Sequence, residues 1–136
     1  MSYAVSGALQ AAVFQLLTAD STVQALSGGA IHDAVPMGPV AGLFVLIGEE
    51  EVRDRSTQTG KLAAHRFTVS VVSDAEGFRS AKALAGAVTD ALVDAAPVLD
   101  RGRIVSMRFL RARARLVRAG QTRRIDLTFR AIVEDD

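Results

Sequence analysis

The chain has 136 residues, of which 49% are hydrophobic, and its formal net charge at pH 7 is +1. This length predicts a single domain spanning residues 1–136, and the apolar fraction excludes an intrinsically disordered chain. Because the sequence has no cysteine, disulfides, thiolate metal sites and thiol catalysis are also excluded. The first residues lack a basic region followed by an apolar run, so no signal peptide is expected. No apolar run reaches the ~20 residues that span a bilayer.

Two helices are predicted before the first strand. Residues 4–17 carry apolar side chains at helical spacing, which is typical of an amphipathic helix with one buried face. A shorter helix is expected over residues 22–26, with Asp20 or Ser21 as its N-cap and Gly28 at its end.

The middle of the chain predicts two strands joined by a long polar loop. Residues 43–47 are continuously apolar, which is typical of a strand covered on both faces. Residues 64–72 alternate, and this places His65 and Phe67 on the same face of a second strand. Residues 48–61 are charged and rich in turn formers, so we expect them to project as a long loop.

A long helix and an arginine-rich hairpin are predicted in the second half. Ser73 and Glu76 fit a capping box that would begin a helix over residues 75–95. Residues 104–118 and 121–134 alternate between apolar and polar side chains and would form the last two strands. Together these elements predict an α+β fold. We expect a mostly antiparallel sheet of about four to five strands packed against two helices.

Charge is unevenly distributed along the chain. Residues 1–100 carry 6 Lys and Arg against 11 Asp and Glu, whereas residues 101–136 carry 10 Arg against 4 acids. Three arginines share one face of a predicted hairpin strand, and Asp126 alone cannot neutralise them, because like charges in a row repel. This arginine row could be an exposed face with local ion pairs, an ion-pair surface between subunits, or a DNA contact. Its members are Arg111, Arg113 and Arg115.

The acidic segment in the predicted loop is the second candidate for a contact surface. Its carboxylates could hold a divalent cation, but such a cluster in a loop is more often solvated or faces a partner, so no metal site is predicted. His32 and His65 lack the spacing of a metal or catalytic pair. No catalytic residue and no cofactor site are predicted, and we do not expect an enzyme. The candidate contact residues of this segment are Glu49, Glu50, Glu51, Arg53, Asp54 and Arg55.

Two stretches of the chain resemble a known family. Residues 30–36 (AIHDAVP) and 43–50 (LFVLIGEE), together with the helical opening at residues 9–20, carry this resemblance. They are similar to the small tail-completion, or tail-terminator, proteins of long-tailed phages and of the gene transfer agents of alphaproteobacteria. The resemblance is clearest over residues 4–75 and continues through the helix and the arginine-rich hairpin.

The resemblance implies a structural protein of a virion or phage-like particle, assembled in the host cytoplasm. Such proteins form a ring, expected here to be a homo-hexamer, that caps the tail tube, stops its elongation and joins it to the head connector. The implied partners are other copies of the chain, the major tail tube protein and the head–tail connector or stopper protein. DNA would pass through the channel without sequence-specific binding, and neither a cofactor nor a membrane is implied.

The acidic segment and the arginine row are then candidates for complementary contacts between subunits. Alternatives in the same structural class are a head–tail stopper or another neck or tube subunit. A different class is a DNA-binding module that uses the arginine row.

Overall fold

The computed structural model describes residues 3–33, 42–117 and 122–136, and within these it shows an α+β fold. In chain order the elements are α1 (Val5–Ala19), α2 (Ser21–Ser27), β1 (Ile31–His32), β2 (Leu43–Asp54), β3 (Leu62–Ser73), α3 (Arg79–Leu92), β4 (Arg103–Val117) and β5 (Thr122–Glu134). The described strands form one sheet in the order β1-β2-β3-β5-β4. Only the short β1–β2 pair is parallel. The expected α+β class and mostly antiparallel sheet are confirmed. The described residues contain the three helices predicted along the chain, and all three pack on the sheet, where two were expected to do so.

The three helices pack on one face of the sheet, which we call the inner face. The alternation of the strands determines this, because every second side chain of β3 and β5 is buried against the helices. Val69 and Val71 of β3, Leu127 and Phe129 of β5, and Leu84 of α3 lie in one continuous core. None of the described helices covers the opposite face, which we call the outer face.

The predicted first two helices are confirmed. Asp20 caps α2, since its carboxylate accepts hydrogen bonds from the backbone N–H groups of Thr22 and Val23, each at 3.0 Å. Gly28 ends α2 in the left-handed conformation, with a φ of 64°, as a helix-terminating glycine does.

Helix α3 is shorter than predicted at both ends. Ser73 is the last residue of β3, and the helix begins only at Arg79. The predicted capping box is therefore wrong, because Ser73 completes a strand and Gly77 disfavours helix in the intervening segment. The helix ends at Leu92, since Asp94 adopts a left-handed φ of 59° that no helix can continue.

The predicted long loop over residues 48–61 is wrong, because half of it is strand. Strand β2 continues to Asp54 and pairs with β3, so the connection is reduced to residues 55–61. A β-bulge after Ile47 shifts the register between the two halves of β2. The polar residues predicted a loop, but this half of β2 lies at the sheet edge, where charged side chains are common in strands.

The predicted arginine-rich hairpin is confirmed as β4 and β5. Arg113 lies directly opposite Asp126, and two bulges interrupt the register of β4. The predicted strand ends at residues 118 and 121 lie outside the described residues.

Candidate assembly surface

The outer face of the sheet gathers arginines from three neighbouring strands. Arg66, Arg130 and Arg108 form one row across β3, β5 and β4, because they are successive register partners. The predicted arginine row on β4 shares this face, since its members pair with outward-facing residues of β5. The face therefore has an excess of positive charge, and its adjacent guanidinium groups repel each other. The outer-face arginines of these strands are Arg66, Arg108, Arg111, Arg113, Arg115, Arg124 and Arg130.

Asp126 is the acid at the centre of this arginine face. Its carboxylate accepts hydrogen bonds from Ser70 Oγ at 2.6 Å, Arg124 Nε at 2.8 Å and Arg115 Nη2 at 3.1 Å. Burial raises the pKa of the Asp126 carboxyl, but the hydrogen bonds from Ser70 and Arg124, with the charge of Arg124, outweigh it and leave the pKa below its ordinary value. Arg113 lies opposite Asp126 in the register, yet its guanidinium makes no ion pair among the described residues.

Asp126→Asn is expected to lower the free energy of unfolding by about 1–2 kcal/mol at neutral pH, a modest loss because solvent screens both arginines. The depressed pKa makes the carboxylate stabilising above the ordinary value of 3.8. This stabilisation is lost as the pH falls through the lower pKa of the folded state. Urea titrations of both proteins at neutral pH and at a series of pH values below 3.8 should show the difference in unfolding free energy shrinking as the pH falls. A difference that is unchanged in acid would contradict the role of the ionised carboxylate.

The acidic segment lies at the opposite side of the outer face, on β2. Glu49 and Glu51 are exposed there, and Glu51 Oε1 lies 2.5 Å from Arg53 Nε. This hydrogen bond and the charge of Arg53 lower the pKa of the Glu51 carboxyl. Asp54 instead accepts hydrogen bonds from the hydroxyl and backbone N–H of Ser56. These bonds order the start of the loop and lower the pKa of the Asp54 carboxyl. The remaining candidate of this segment, Arg55, is the exposed first residue of that loop.

Glu50 points away from the other two glutamates, toward the helices. Its carboxylate accepts hydrogen bonds from Tyr3 Oη at 2.6 Å and from Ser6 Oγ at 2.6 and 2.8 Å. His65 Nδ1 lies 3.5 Å from Glu50 Oε2, and the His65 side chain has no solvent exposure. Glu50 therefore ties the N-terminal end of α1 to the sheet, a role that its position between two other glutamates did not indicate.

A groove of about 620 Å³ separates the acidic and basic sides of the outer face. Glu49 and Glu51 line one side, and Arg111 lines the other. Strands β3 and β5 lie between them, so three strand spacings of about 4.8 Å place β2 roughly 14 Å from β4. The structure thus puts the two predicted contact sets on one face but does not pair them within the chain. The small floor residues of the groove are Thr68 and Thr128.

Strand β4 exposes large apolar side chains that the sequence analysis missed. Phe109, Leu110 and Leu116 are 41%, 40% and 53% exposed. They are interspersed with the arginines along the same strand. The sequence pattern contains these apolar residues, but it cannot show that the part of β4 after Met107 is left uncovered.

Comparison with known proteins gives the family. Residues 11–134 match the family model of tail completion protein gp17. The chain belongs to this family of tail completion proteins. It is also similar to a chain from the virion of a native gene transfer agent particle, with 59% sequence identity and a TM-score of 0.92. That match covers 98% of this chain and 99% of the other. No curated protein sequence matches the chain.

The chain is therefore a structural protein of a virion tail, and the predicted resemblance to components of gene transfer agents is confirmed. The two histidines of this tail completion protein lie on opposite faces of the sheet. His32 contacts the ring of Phe44, with 5.9 Å between centroids, whereas His65 is fully buried on the inner face. Across the described parts of the chain, no three His, Asp or Glu side chains are placed to hold a metal ion. No described helix is both long and apolar enough to cross a membrane.

Proposed function

We propose that the protein is a tail terminator. In this proposal, copies of the chain close into a ring, expected to be a hexamer, that caps the tail tube and stops its elongation. The ring joins the tube to the head connector, and DNA passes through its channel. The role is structural and involves no catalysis. The partners are other copies of the chain, the major tail tube protein and the connector or stopper protein.

The observation that supports a ring is the separation of opposite charges across the outer face. A closed ring of identical subunits needs two different, complementary patches on every copy. Here Glu49 and Glu51 lie on the β2 side, while Arg111 and Arg113 lie about 14 Å away on the β4 side. Because neither arginine has an acidic partner among the described residues, both remain available for a neighbouring copy. Opposite charges steer such contacts and disfavour wrong orientations.

The proposal is tested by electron microscopy of particles from cells that lack this protein. Termination predicts tail tubes of uncontrolled, excessive length that are not joined to heads. Complementation with the wild-type gene should restore both a uniform tail length and attachment, which is the control for effects on neighbouring genes.

Two other outcomes would assign a different function. Tubes of normal length without heads would identify a head–tail stopper instead of a terminator. Tails that are normal in both length and attachment would refute a role in tail completion. If the purified protein then bound duplex DNA with an affinity that fell steeply with salt, the unpaired arginines would define a DNA-binding surface.

A further inference from the structure

Both long edges of the sheet are open in the described part of the chain. Strand β4 pairs with β5 on one side, and no described strand pairs with its other edge. At the opposite edge, β1 pairs with β2 only at Val45 and Leu46, so the half of β2 from Ile47 to Asp54 also lacks an outer partner. Unpaired backbone N–H and C=O groups on an extended strand are a template for another strand.

The exposed side chains of β4 show that this edge is suited to a partner. Phe109 and Leu116 project on the inner side, beyond the cover of the helices, and Arg111 and Arg113 project on the outer side. Long open edges with exposed apolar side chains promote association unless they are covered. A partner strand at this edge must therefore offer apolar surface on one side and carboxylates on the other.

We propose that β4 of one copy pairs with the free half of β2 in the next copy, so that the sheet continues from subunit to subunit. This inference rests on the proposed ring and adds how its subunits are joined. The second copy has the required chemistry on both sides of its β2. Glu49 and Glu51 lie on its outer side, while Tyr3, which is 67% exposed, is held on its inner side by the hydrogen bond to Glu50.

The strand directions fit this junction. Strands β2, β3, β5 and β4 alternate in direction across the sheet, because each adjacent pair is antiparallel. Four alternating strands per copy bring β4 antiparallel to β2 of the following copy. The alternation can then continue around a closed ring, as the heterologous contact of a cyclic assembly requires. No parallel strand pair is needed at the junction.

The register also brings complementary side chains to the same level. One row across the outer face runs from Glu51 of β2 through β3 and β5 to Arg108 of β4. The adjacent row on the inner face runs from Glu50, which binds Tyr3, to Phe109. Without stagger between copies, Arg108 therefore meets the next Glu51, and Phe109 meets the next Tyr3. Each junction therefore contains one charged pair and one aromatic pair, and each of the two copies supplies one member of each pair.

Disulfide trapping in assembled particles tests the proposal. The chain has no cysteine, so Glu51→Cys with Arg108→Cys gives it two cysteines and no others. Directly opposed residues on antiparallel strands have Cα atoms about 4.5–5.5 Å apart, within the roughly 4.4–6.8 Å range of disulfides. Oxidation should produce a ladder of oligomers on a non-reducing gel, which a reductant removes. Glu49→Cys and Arg53→Cys, each combined with Arg108→Cys, test a shift of two residues in either direction.

The matched control is Asp90→Cys with Arg108→Cys, because Asp90 is exposed on α3 and lies away from the β2 edge. This pair should produce no ladder. Tail length is scored on the same particles. Tails of normal length without a ladder at any of the three β2 positions would overturn the strand pairing and leave the terminator function standing. Normal tails in particles without the protein would instead refute the terminator function.

A photo-crosslinking amino acid in place of Leu110 provides a second test if the cysteine variants do not enter particles. Leu110 lies in the bulge beside Phe109, at the level of Glu50 in the free half of β2. It is exposed and makes no core contact, so its replacement should be tolerated. Mass spectrometry should find the crosslink on the β2 region of another copy. A crosslink to a different particle protein would overturn the proposal, because that protein would then occupy the β4 edge.

Discussion

Phe129→Ala is expected to lower the free energy of unfolding by about 3–5 kcal/mol, a large share of the stability of a domain this size. Phe129 has no solvent exposure and lies in the middle of the sheet. Its ring stacks on Phe67 at 5.6 Å between centroids and meets the edge of Phe109 at 5.9 Å. The truncation leaves a cavity between the sheet and the helices, and strand pairing on both sides of β5 prevents its collapse. Urea unfolding followed by circular dichroism measures the loss.

Phe109→Ala is the matched control, because Phe109 is the register partner of Phe129 on the neighbouring strand. Its ring is 41% exposed, so the same truncation should cost about 1 kcal/mol or less. Equal losses for the two variants would contradict the position of Phe109 at the exposed margin of the core. The two variants also separate folding from assembly, because only Phe109 lies at the proposed junction between copies.

Much of the fold could be predicted because its strands alternate. In β3 and β5 most inward residues are apolar and most outward residues are polar, so the two faces were evident from the sequence. The same alternation correctly placed Arg111, Arg113 and Arg115 on one face. The hairpin needed no long-range information, because its two strands are neighbours in the chain and in the sheet.

The second half of β2 could not be predicted, and Glu50 is the physical reason. A strand is recognised by apolar residues at every second position, but the inward position here holds a carboxylate. That carboxylate is tolerated because hydroxyl groups of Tyr3 and Ser6 donate to it. These donors lie 47 and 44 residues away in the sequence, so no local pattern contains them. The bulge after Ile47 further breaks the alternation at this point.

The candidate surface was predictable in composition but not in arrangement. Sequence reasoning identified the acidic segment and the arginine row as charged sets. It could not show that they occupy opposite sides of one sheet face, because this depends on β3 and β5 lying between them. Strand order is set by tertiary packing, and here it keeps the two charged segments apart within one copy.

Glu50→Ala is expected to lower the free energy of unfolding by about 2–3 kcal/mol, because it removes charged hydrogen bonds at a largely buried site. The side chain of Glu50 is 17% exposed, and the hydroxyl of buried Ser6 would lose its acceptor. The variant should also loosen the N-terminal end of α1, which amide hydrogen exchange measures as faster exchange in the first turns.

Glu49→Ala is the control for this prediction, since Glu49 precedes Glu50 in the sequence but is exposed on the outer face. Its replacement should change the free energy of unfolding by less than about 0.5 kcal/mol and leave exchange in α1 unaltered. If the ring forms as proposed, Glu49→Ala should instead reduce incorporation into particles, because one acidic contact for the next arginine row is lost. Similar stability losses for both variants would mean that Glu50 has no special role beneath α1. Comparing the two variants thus distinguishes a glutamate that stabilises the fold from an adjacent one that is available for assembly.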